Sequence, residues 1–281
     1  MQVKVAIGTI AFMLTMIVLG YAALREPTRL EDFTGAAQGR SIEAGGELYD
    51  ANCATCHGVD GKAEACQDPS SGEAIPCKGL PLNNYFLVCG DRPKRLDDVR
   101  WEGSKAQYIQ RTISAGRSGT VMPAWLDEFG GPLRPDQVEN LTDFILNWGD
   151  EELCAAEPVS EDWPETVEEL LAMDDVQAGD PAAGAEVYAA LGCAGCHGLP
   201  EQEGSNTIAP WLGNIAEVGA TRVEGQSAEN YVYHSILDPN AFIAPDCPAG
   251  PCNDPSLMPS DFGTRLTPQE MADLLAYLLK Q

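Results

Sequence analysis

The sequence contains the stretch NCATCHGVDGK at residues 52–62, in which a histidine directly follows the second of two cysteines. The stretch GCAGCHG at residues 192–198 repeats the same Cys-x-x-Cys-His (CxxCH) spacing about 140 residues later. Each stretch places two thiols and one imidazole within five consecutive residues. Because the pattern occurs twice, we expect two copies of one chemical site.

The residues around the two motifs are also repeated. AGGELYDANC at 44–53 precedes the first motif and AGAEVYAALGC at 183–193 precedes the second, and each predicts a short helix that ends near the cysteine. Each copy closes with an amphipathic helical pattern, RPDQVENLTDFILNW at 134–148 and TPQEMADLLAYLLK at 267–280. The sequence therefore predicts an all-α protein that contains two tandem helical domains.

Three kinds of site contain a pair of cysteines at this spacing. A structural zinc site needs four ligands, and the chain has only 3 histidines to add to its cysteines. A thioredoxin-like pair is expected near a βαβ pattern, and the sequence shows no strand-rich unit. CxxCH is the attachment motif of a c-type haem, because both thiols reach the vinyl groups and the adjacent imidazole faces the iron. The doubled motif predicts two covalently bound haem c groups, held by Cys53, Cys56, His57, Cys193, Cys196 and His197.

The positions of the methionines predict the second axial ligand of each iron. Of the 7 methionines, five lie in the apolar N-terminal segment, in an acidic linker or on the apolar face of the last helix. Met122 in TVMPAW and Met258 in SLMPSDFG remain, 65 residues after His57 and 61 residues after His197. A thioether suits haem iron, and the proline that follows each methionine stiffens its loop. We therefore predict one His and Met pair for each iron.

Both units resemble class I cytochrome c domains, and together they cover nearly all of the chain beyond its N-terminal segment. In that family a proline carbonyl after the haem motif accepts a hydrogen bond from the proximal histidine, which fixes the imidazole. The resemblance assigns this role to Pro210 in IAPWLGN and to Pro81 in GLPLNN, which follows an insertion at 64–79. Three further residues are interpreted as parts of the pocket wall or of a helix, and not as ligands or electron relays: Trp125, Trp211 and His234.

The N-terminal residues differ from the rest of the chain. VAIGTIAFMLTMIVLGYAAL at 5–24 has no charged residue and is close to the length that a helix needs to cross a bilayer. A cleaved secretory signal that starts at Lys4 is the alternative, but the apolar run is longer than a normal signal core. The predicted organisation is a transmembrane anchor at 1–26, a tether at 27–41, a cytochrome c domain at 42–150, an acidic linker at 151–178 and a second cytochrome c domain at 179–281.

The charge of the chain limits its partners. The formal net charge is −26, which makes nucleic acid an unexpected partner, because phosphate binding needs the opposite sign. Residues 27–150 carry 12 basic and 19 acidic residues, whereas residues 151–281 carry 3 and 23. The stretch at 150–180 has no Lys or Arg, which predicts a solvated linker in which PETVEELLAM forms an exposed helix.

Six cysteines lie outside the CxxCH motifs. An even number in inserted loops predicts disulfides and therefore an oxidising compartment, although six cysteines allow fifteen connectivities. The resemblance implies that haem is attached outside the cytoplasmic membrane, which agrees with this compartment and predicts both domains on the periplasmic or extracytoplasmic side. The pairs expected from position are Cys247–Cys252, Cys66–Cys77 and, as the remaining pair, Cys89–Cys154.

Ligation of both irons by His and Met leaves no open position for a substrate, which argues against a dihaem peroxidase and against catalysis by this chain itself. The resemblance implies single-electron transfer as a subunit of a membrane quinol-oxidising or terminal-oxidase complex. Similar anchored dihaem subunits occur in cbb-type oxidases, actinobacterial quinol–cytochrome c reductases and alternative complex III. The expected partners are membrane-embedded subunits and a soluble or neighbouring redox acceptor with a basic surface. A free-standing membrane-tethered shuttle and the cytochrome subunit of a periplasmic dehydrogenase are the alternatives.

Overall fold

The computed structural model describes residues 2–75, 77–155 and 157–280, and this part of the chain is mostly helical. The prediction of an all-α fold is confirmed, with the addition of a short antiparallel hairpin of β1 (Cys66–Gln67) and β2 (Ala74–Ile75). The helices are α1 (Gln2–Asn52), α2 (Ala54–His57), α3 (Tyr85–Val88), α4 (Lys94–Asp98), α5 (Lys105–Ala115), α6 (Pro135–Asn147), α7 (Val167–Leu170), α8 (Pro181–Ala190), α9 (Ala194–His197), α10 (Ile215–Gly219), α11 (Ala228–Leu237) and α12 (Pro268–Leu279).

Helix α1 runs without a break from the apolar N-terminal segment to the first CxxCH motif. By length and composition it contains a segment that is apolar enough to cross a membrane. The predicted tether at 27–41 is also helical, so it extends the anchor rigidly and is not a separate connector. Pro27 removes one backbone hydrogen bond but does not end the helix, and Arg29 bonds back to the Glu26 carboxylate at 2.9 and 2.6 Å.

The two domains are built on the same helix crossing. Helix α1 packs on α6 in the first domain, and α8 packs on α12 in the second. A glycine lies at each crossing, since a Cβ would lie 2.0 Å from a backbone oxygen of the facing helix, that of Asn140 for Gly45 and that of Asp273 for Gly184. The absence of a side chain therefore allows the two helix backbones to touch in both domains.

Each domain also has a buried tyrosine on the helix before its CxxCH motif. The Tyr49 hydroxyl donates to the carbonyl oxygen of Gly58, and the Tyr188 hydroxyl donates to that of Gly198, both at 2.7 Å. Each ring also contacts an aromatic ring of the closing helix, α6 or α12. These contacts fix the helix before the motif relative to the residue that follows it. The repeat in the sequence is therefore a repeat of tertiary contacts.

Part of the acidic linker packs against the second domain, so the prediction of a solvated linker with an exposed helix is wrong there. Val167 and Leu170 of α7 are buried in the second core. The Trp163 indole donates to a backbone carbonyl of the second domain at 2.9 Å, and the Tyr233 hydroxyl donates to the Pro164 carbonyl at 2.7 Å. The acidic residues between Val167 and Leu170 are exposed. Because acidic residues predominate in this segment, its sequence did not indicate a buried face.

The described residues form three disulfides, and the pairing expected from position is confirmed. The first closes the insertion around β1 and β2, the second ties the loop after α3 to the end of the first domain, and the third closes a short loop of the second domain. The four cysteines of the CxxCH motifs are unpaired. The disulfides are Cys66–Cys77, Cys89–Cys154 and Cys247–Cys252.

Candidate functional site

In the first domain the CxxCH motif forms α2 and the residue before it. The thiols of Cys53 and Cys56 are unpaired, and both residues line a cavity. His57 Nδ1 lies 2.8 Å from the carbonyl oxygen of Leu80. The assignment of this contact to Pro81 is therefore wrong by one residue. A residue before proline favours extended backbone, and after the insertion it is this residue that presents its carbonyl to the imidazole.

The loop that carries this carbonyl passes very close to the histidine. At Gly79 a Cβ would lie 2.4 Å from His57 Nδ1, and the Gly79 N–H donates to the Cys56 carbonyl oxygen at 2.8 Å. Burial lowers the pKa of His57, and the hydrogen bond with Leu80 opposes this only in part. Because a carbonyl can only accept, the neutral ring carries its proton on Nδ1. The Nε2 lone pair is then free for a metal ion.

The second domain repeats this arrangement at α9. His197 Nδ1 lies 2.7 Å from the carbonyl oxygen of Pro210, which confirms the contact expected there. Burial lowers the pKa of His197, so this imidazole is also neutral at neutral pH. A Cβ at Gly195 would lie 2.3 Å from the carbonyl oxygen of Cys77, so the second motif packs directly on the insertion of the first domain.

Burial also affects the thiols of the motifs. It raises the pKa of Cys53 and that of Cys193 each to about 12, and it raises the pKa of Cys196. Such thiols stay protonated at neutral pH, whereas redox pairs and zinc sites use thiolates. Within the described ranges no group of three or more His, Cys, Asp or Glu side chains is arranged to hold a metal ion.

Met122 lies in the loop between α5 and α6 and lines the same cavity as His57. Its N–H donates to Thr120 Oγ1 at 3.1 Å, and its carbonyl oxygen accepts from the Arg117 N–H at 3.1 Å. A Cβ at Gly116 would lie 2.6 Å from the Met122 carbonyl oxygen, and the φ of +66° also favours glycine. Residues of the first domain therefore hold this loop.

Met258 lies in the loop between α11 and α12, lines the cavity with His197 and packs against the second core. Its N–H donates to Ser256 Oγ at 3.2 Å, and the Ser256 N–H donates to Asn240 Oδ1 at 2.9 Å. The structure thus brings each predicted methionine to the cavity that its predicted partner histidine lines.

One continuous cavity of about 410 Å³ is lined by both CxxCH motifs and both methionine loops. Trp125 and Trp211 line it, as expected for wall residues. His234 lies on α11 and contacts the Gln226 side chain and, at 2.9 Å from its Nε2, the Glu165 carbonyl oxygen. The two predicted ligand sets therefore share one space at the domain interface.

Among the described residues, two of the three buried polar atoms without a partner at this cavity are donors that fit haem, and the third, Asp261 Oδ1, is an acceptor. Arg95 Nη1 and Trp125 Nε1 are buried and have no hydrogen-bond partner among the described residues, and both residues line the cavity. Buried donors without an acceptor are costly, so they fit a cofactor that brings acceptors of its own, as the carboxylates of haem do. Sequence reasoning did not find Arg95, because in RPKRLDD it is one of several charged residues typical of a surface.

Comparisons with known proteins agree with this geometry. Residues 40–145 match the family described as cytochrome c oxidase, cbb3-type, subunit III, and residues 181–281 match the cytochrome c family. The Cbb3-type cytochrome c oxidase subunit FixP of Azorhizobium caulinodans is 35% identical over 124 residues. That match covers 43% of this chain and 32% of the relative, so the chain spans about a third of the length of this relative.

The fold and the cavity define a c-type cytochrome. The chain is a dihaem class I cytochrome c, in which two tandem domains follow a long apolar helix and bind two haem c groups covalently. Among solved structures, a chain of the reducing HAO-like protein complex of Kuenenia stuttgartiensis is 21% identical in sequence. The match covers 85% of this chain and 95% of that chain, at a TM-score of 0.28. That score is too low to indicate a shared overall architecture.

Proposed function

We propose that this chain is an electron-transfer subunit of a membrane-bound terminal-oxidase complex. The observation that carries the proposal is the continuous cavity that both CxxCH motifs and both methionine loops line. It supports a pair of redox centres that lie next to each other at the domain interface. The match of the first domain to subunit III of cbb3-type oxidases favours an oxidase over a quinol-oxidising complex.

In this proposal His57 and Met122 ligate the first iron, and His197 and Met258 ligate the second. The bound haem groups supply reversible one-electron redox chemistry. The chain orients each imidazole through its Nδ1 contact, at 2.8 Å in the first domain and 2.7 Å in the second. Mostly apolar side chains line the cavity that would hold the irons. With a histidine and a methionine on each iron there would be no open position for a substrate, so the chain would carry electrons and have no substrate site of its own.

The location of the haem domains follows from the cysteines in this proposal. Disulfides persist in oxidising compartments, and this chain has three of them in its two domains. The domains therefore lie on the periplasmic or extracytoplasmic side, and the N-terminus lies in the cytoplasm. The chain is anchored by a single pass of α1, whose apolar segment is long enough to span.

The two domains have different partners in this proposal. Helix α1 leads directly into the first motif, which favours the first haem as the one nearer the membrane donor. The second part of the chain, residues 151–281, carries 3 basic and 23 acidic residues, which favours a basic redox acceptor at the second haem.

Purification from native membranes in mild detergent tests the proposal. A tag on the C-terminus should recover the chain together with membrane-embedded subunits, and the complex should consume oxygen when supplied with reductant. Recovery of the chain alone would instead support a membrane-tethered shuttle. Recovery with quinol-oxidising subunits and no oxygen consumption would support a quinol-oxidising complex, and recovery with a soluble dehydrogenase would support the third alternative.

A further inference from the structure

The loop that presents Met258 is bonded to the other domain. We define the Met258 loop as residues 254–261, which lie between α11 and α12. Arg95 Nη2 on α4 donates to the carbonyl oxygen of Leu257 at 3.2 Å. The hydroxyl of Ser260 donates to Asp98 Oδ2 at 2.5 Å. These two contacts bracket Met258, so the methionine cannot move away from the cavity with its loop unless both contacts break.

The contact between Ser260, on the C-terminal side of Met258, and Asp98 is reinforced by charge. Lys94 Nζ bonds to Asp98 Oδ1 at 2.9 Å and also contacts the Ser260 hydroxyl. The Asp98 side chain is only 13% exposed, so solvent screens these charge-assisted bonds weakly. One residue further along, Asp261 Oδ2 accepts from Asn84 Nδ2 at 2.9 Å. Side chains of the first domain thus contact the Met258 loop at Leu257, Ser260 and Asp261, and Arg100 also pairs with Asp254 at 3.2 Å on the surface.

The Met122 loop differs in this respect. Its methionine carbonyl and N–H bond to Arg117 and Thr120, which belong to the same loop and domain. Both loops read Met-Pro, and in both the methionine N–H bonds to a hydroxyl of its own loop, yet the second loop is held in addition by side chains of the other domain.

We propose that Arg95 and Asp98 of the first domain are positioning residues for the iron of the second domain. They keep the Met258 loop closed, and they thereby set how often the thioether leaves the iron. The inference rests on the proposed ligation of this iron by Met258. It adds that the axial bond of one haem depends on side chains of the other domain.

Binding of imidazole to the oxidised protein measures the opening of the loop. Imidazole can occupy an axial position only when the methionine has left it, so its apparent affinity rises with the open population. The chain offers a matched pair of variants on α4. Asp98→Ala removes the contact with Ser260, whereas Asp97→Ala removes the same charge from a carboxylate that bonds only to the exposed Arg92 at 2.6 Å. Ser260→Ala tests the same contact from the loop side.

We expect Asp98→Ala and Ser260→Ala to raise the imidazole affinity of the second haem about tenfold, the effect of losing one charge-assisted hydrogen bond. Asp97→Ala should leave this affinity within about twofold. The first haem, identified by its loss of methionine ligation in Met122→Ala, should be unchanged in all three variants. Imidazole affinities are compared only for preparations that contain two haems per chain. A variant that fails to fold and to attach both haems is therefore left out of the comparison.

Equal affinities in Asp98→Ala, Ser260→Ala and Asp97→Ala would overturn the positioning role. Met258→Ala separates this failure from a failure of the ligand assignment. If Met258→Ala opens the second haem to imidazole and Asp98→Ala does not, the ligation stands and the contact with the first domain is unimportant. If Met258→Ala itself changes nothing, the assigned ligand is wrong and the inference falls with it.

Discussion

The methionine loop of the first domain is bonded within its own domain, whereas that of the second is bonded within its own domain and also to α4 of the first. Around the CxxCH motifs the two domains are nearly the same, with a glycine at the helix crossing and a tyrosine bonded to the glycine after the histidine. The two domains differ in the part of the cavity that their methionine loops line. The side with the CxxCH motif is thus repeated, and the side with the methionine loop is specific to each domain.

This difference indicates that the two domains do not function as independent copies. The first domain has the insertion, two of the three disulfides and the helix α4 that contacts its neighbour. The second has the packed linker and most of the negative charge. Four experiments test how far the similarity and the difference extend.

Removal of the motif thiols has the largest expected effect. Cys53→Ala with Cys56→Ala should leave one haem c per chain, and Cys193→Ala with Cys196→Ala should do the same, because each domain attaches its own haem. A pyridine haemochrome assay against protein concentration measures the ratio, which should be two in the parent. One haem in the parent would contradict the equivalence of the two domains.

Exchange of the axial methionines comes next. Met122→His and Met258→His should each lower the reduction potential of their own haem by on the order of 0.1 V, since Met ligation raises the potential of cytochromes c and axial ligands span about 0.8 V. A spectroelectrochemical titration resolves the two haems. The other haem serves as the internal control, and an unchanged titration in both variants would show that the ligands are misassigned.

Substitution of the crossing glycines should destabilise both domains to a similar extent. Gly45→Ala and Gly184→Ala should each cost about 1–3 kcal/mol of unfolding free energy, because the new Cβ overlaps a backbone oxygen. Gly39→Ala is the matched control, since Gly39 lies in α1 with no atom near its Cβ position and should gain about 0.5–1 kcal/mol. Denaturant titration of the haem-loaded protein gives the three values. Equal results for Gly184→Ala and Gly39→Ala would show that the second crossing is looser than the first.

The smallest expected effect concerns the acidic surface of residues 151–281. If it steers a basic acceptor, the rate of electron transfer from the second haem should fall several-fold between low salt and 0.15 M, where the Debye length is about 8 Å. Stopped-flow mixing with the natural acceptor measures this rate. A rate that does not change with salt would mean that the charge serves only to keep the surface solvated.

Much of the site could be predicted because its signals are local. Each signal lies within a short stretch of the sequence. These signals are the CxxCH motif, the tyrosine before it and the Met-Pro of each loop. The contact of His197 with Pro210 was implied by the resemblance to class I cytochrome c domains. The disulfide pairs followed from which loops contain cysteines.

The rest depends on tertiary packing. Leu80 replaced Pro81 because the insertion before it changes the path of the loop, and no spacing rule covers that path. In α7 the apolar positions are separated by exposed acidic residues, so the charge of the segment masked its buried face. The contacts of α4 with the Met258 loop join residues more than 150 positions apart, which no local pattern can indicate.

The unbroken course of α1 has a consequence for distance. At 1.5 Å per residue, the helix rises about 40 Å between Arg25, at the end of the apolar segment, and Asn52, beside the first haem. A tilt of about 20°, common for spanning helices, shortens that height only slightly. Electron tunnelling fades steeply over such a gap. If α1 spans a bilayer as proposed, the membrane donor of the first haem would have to project well above the lipid surface or carry its electrons up to that height.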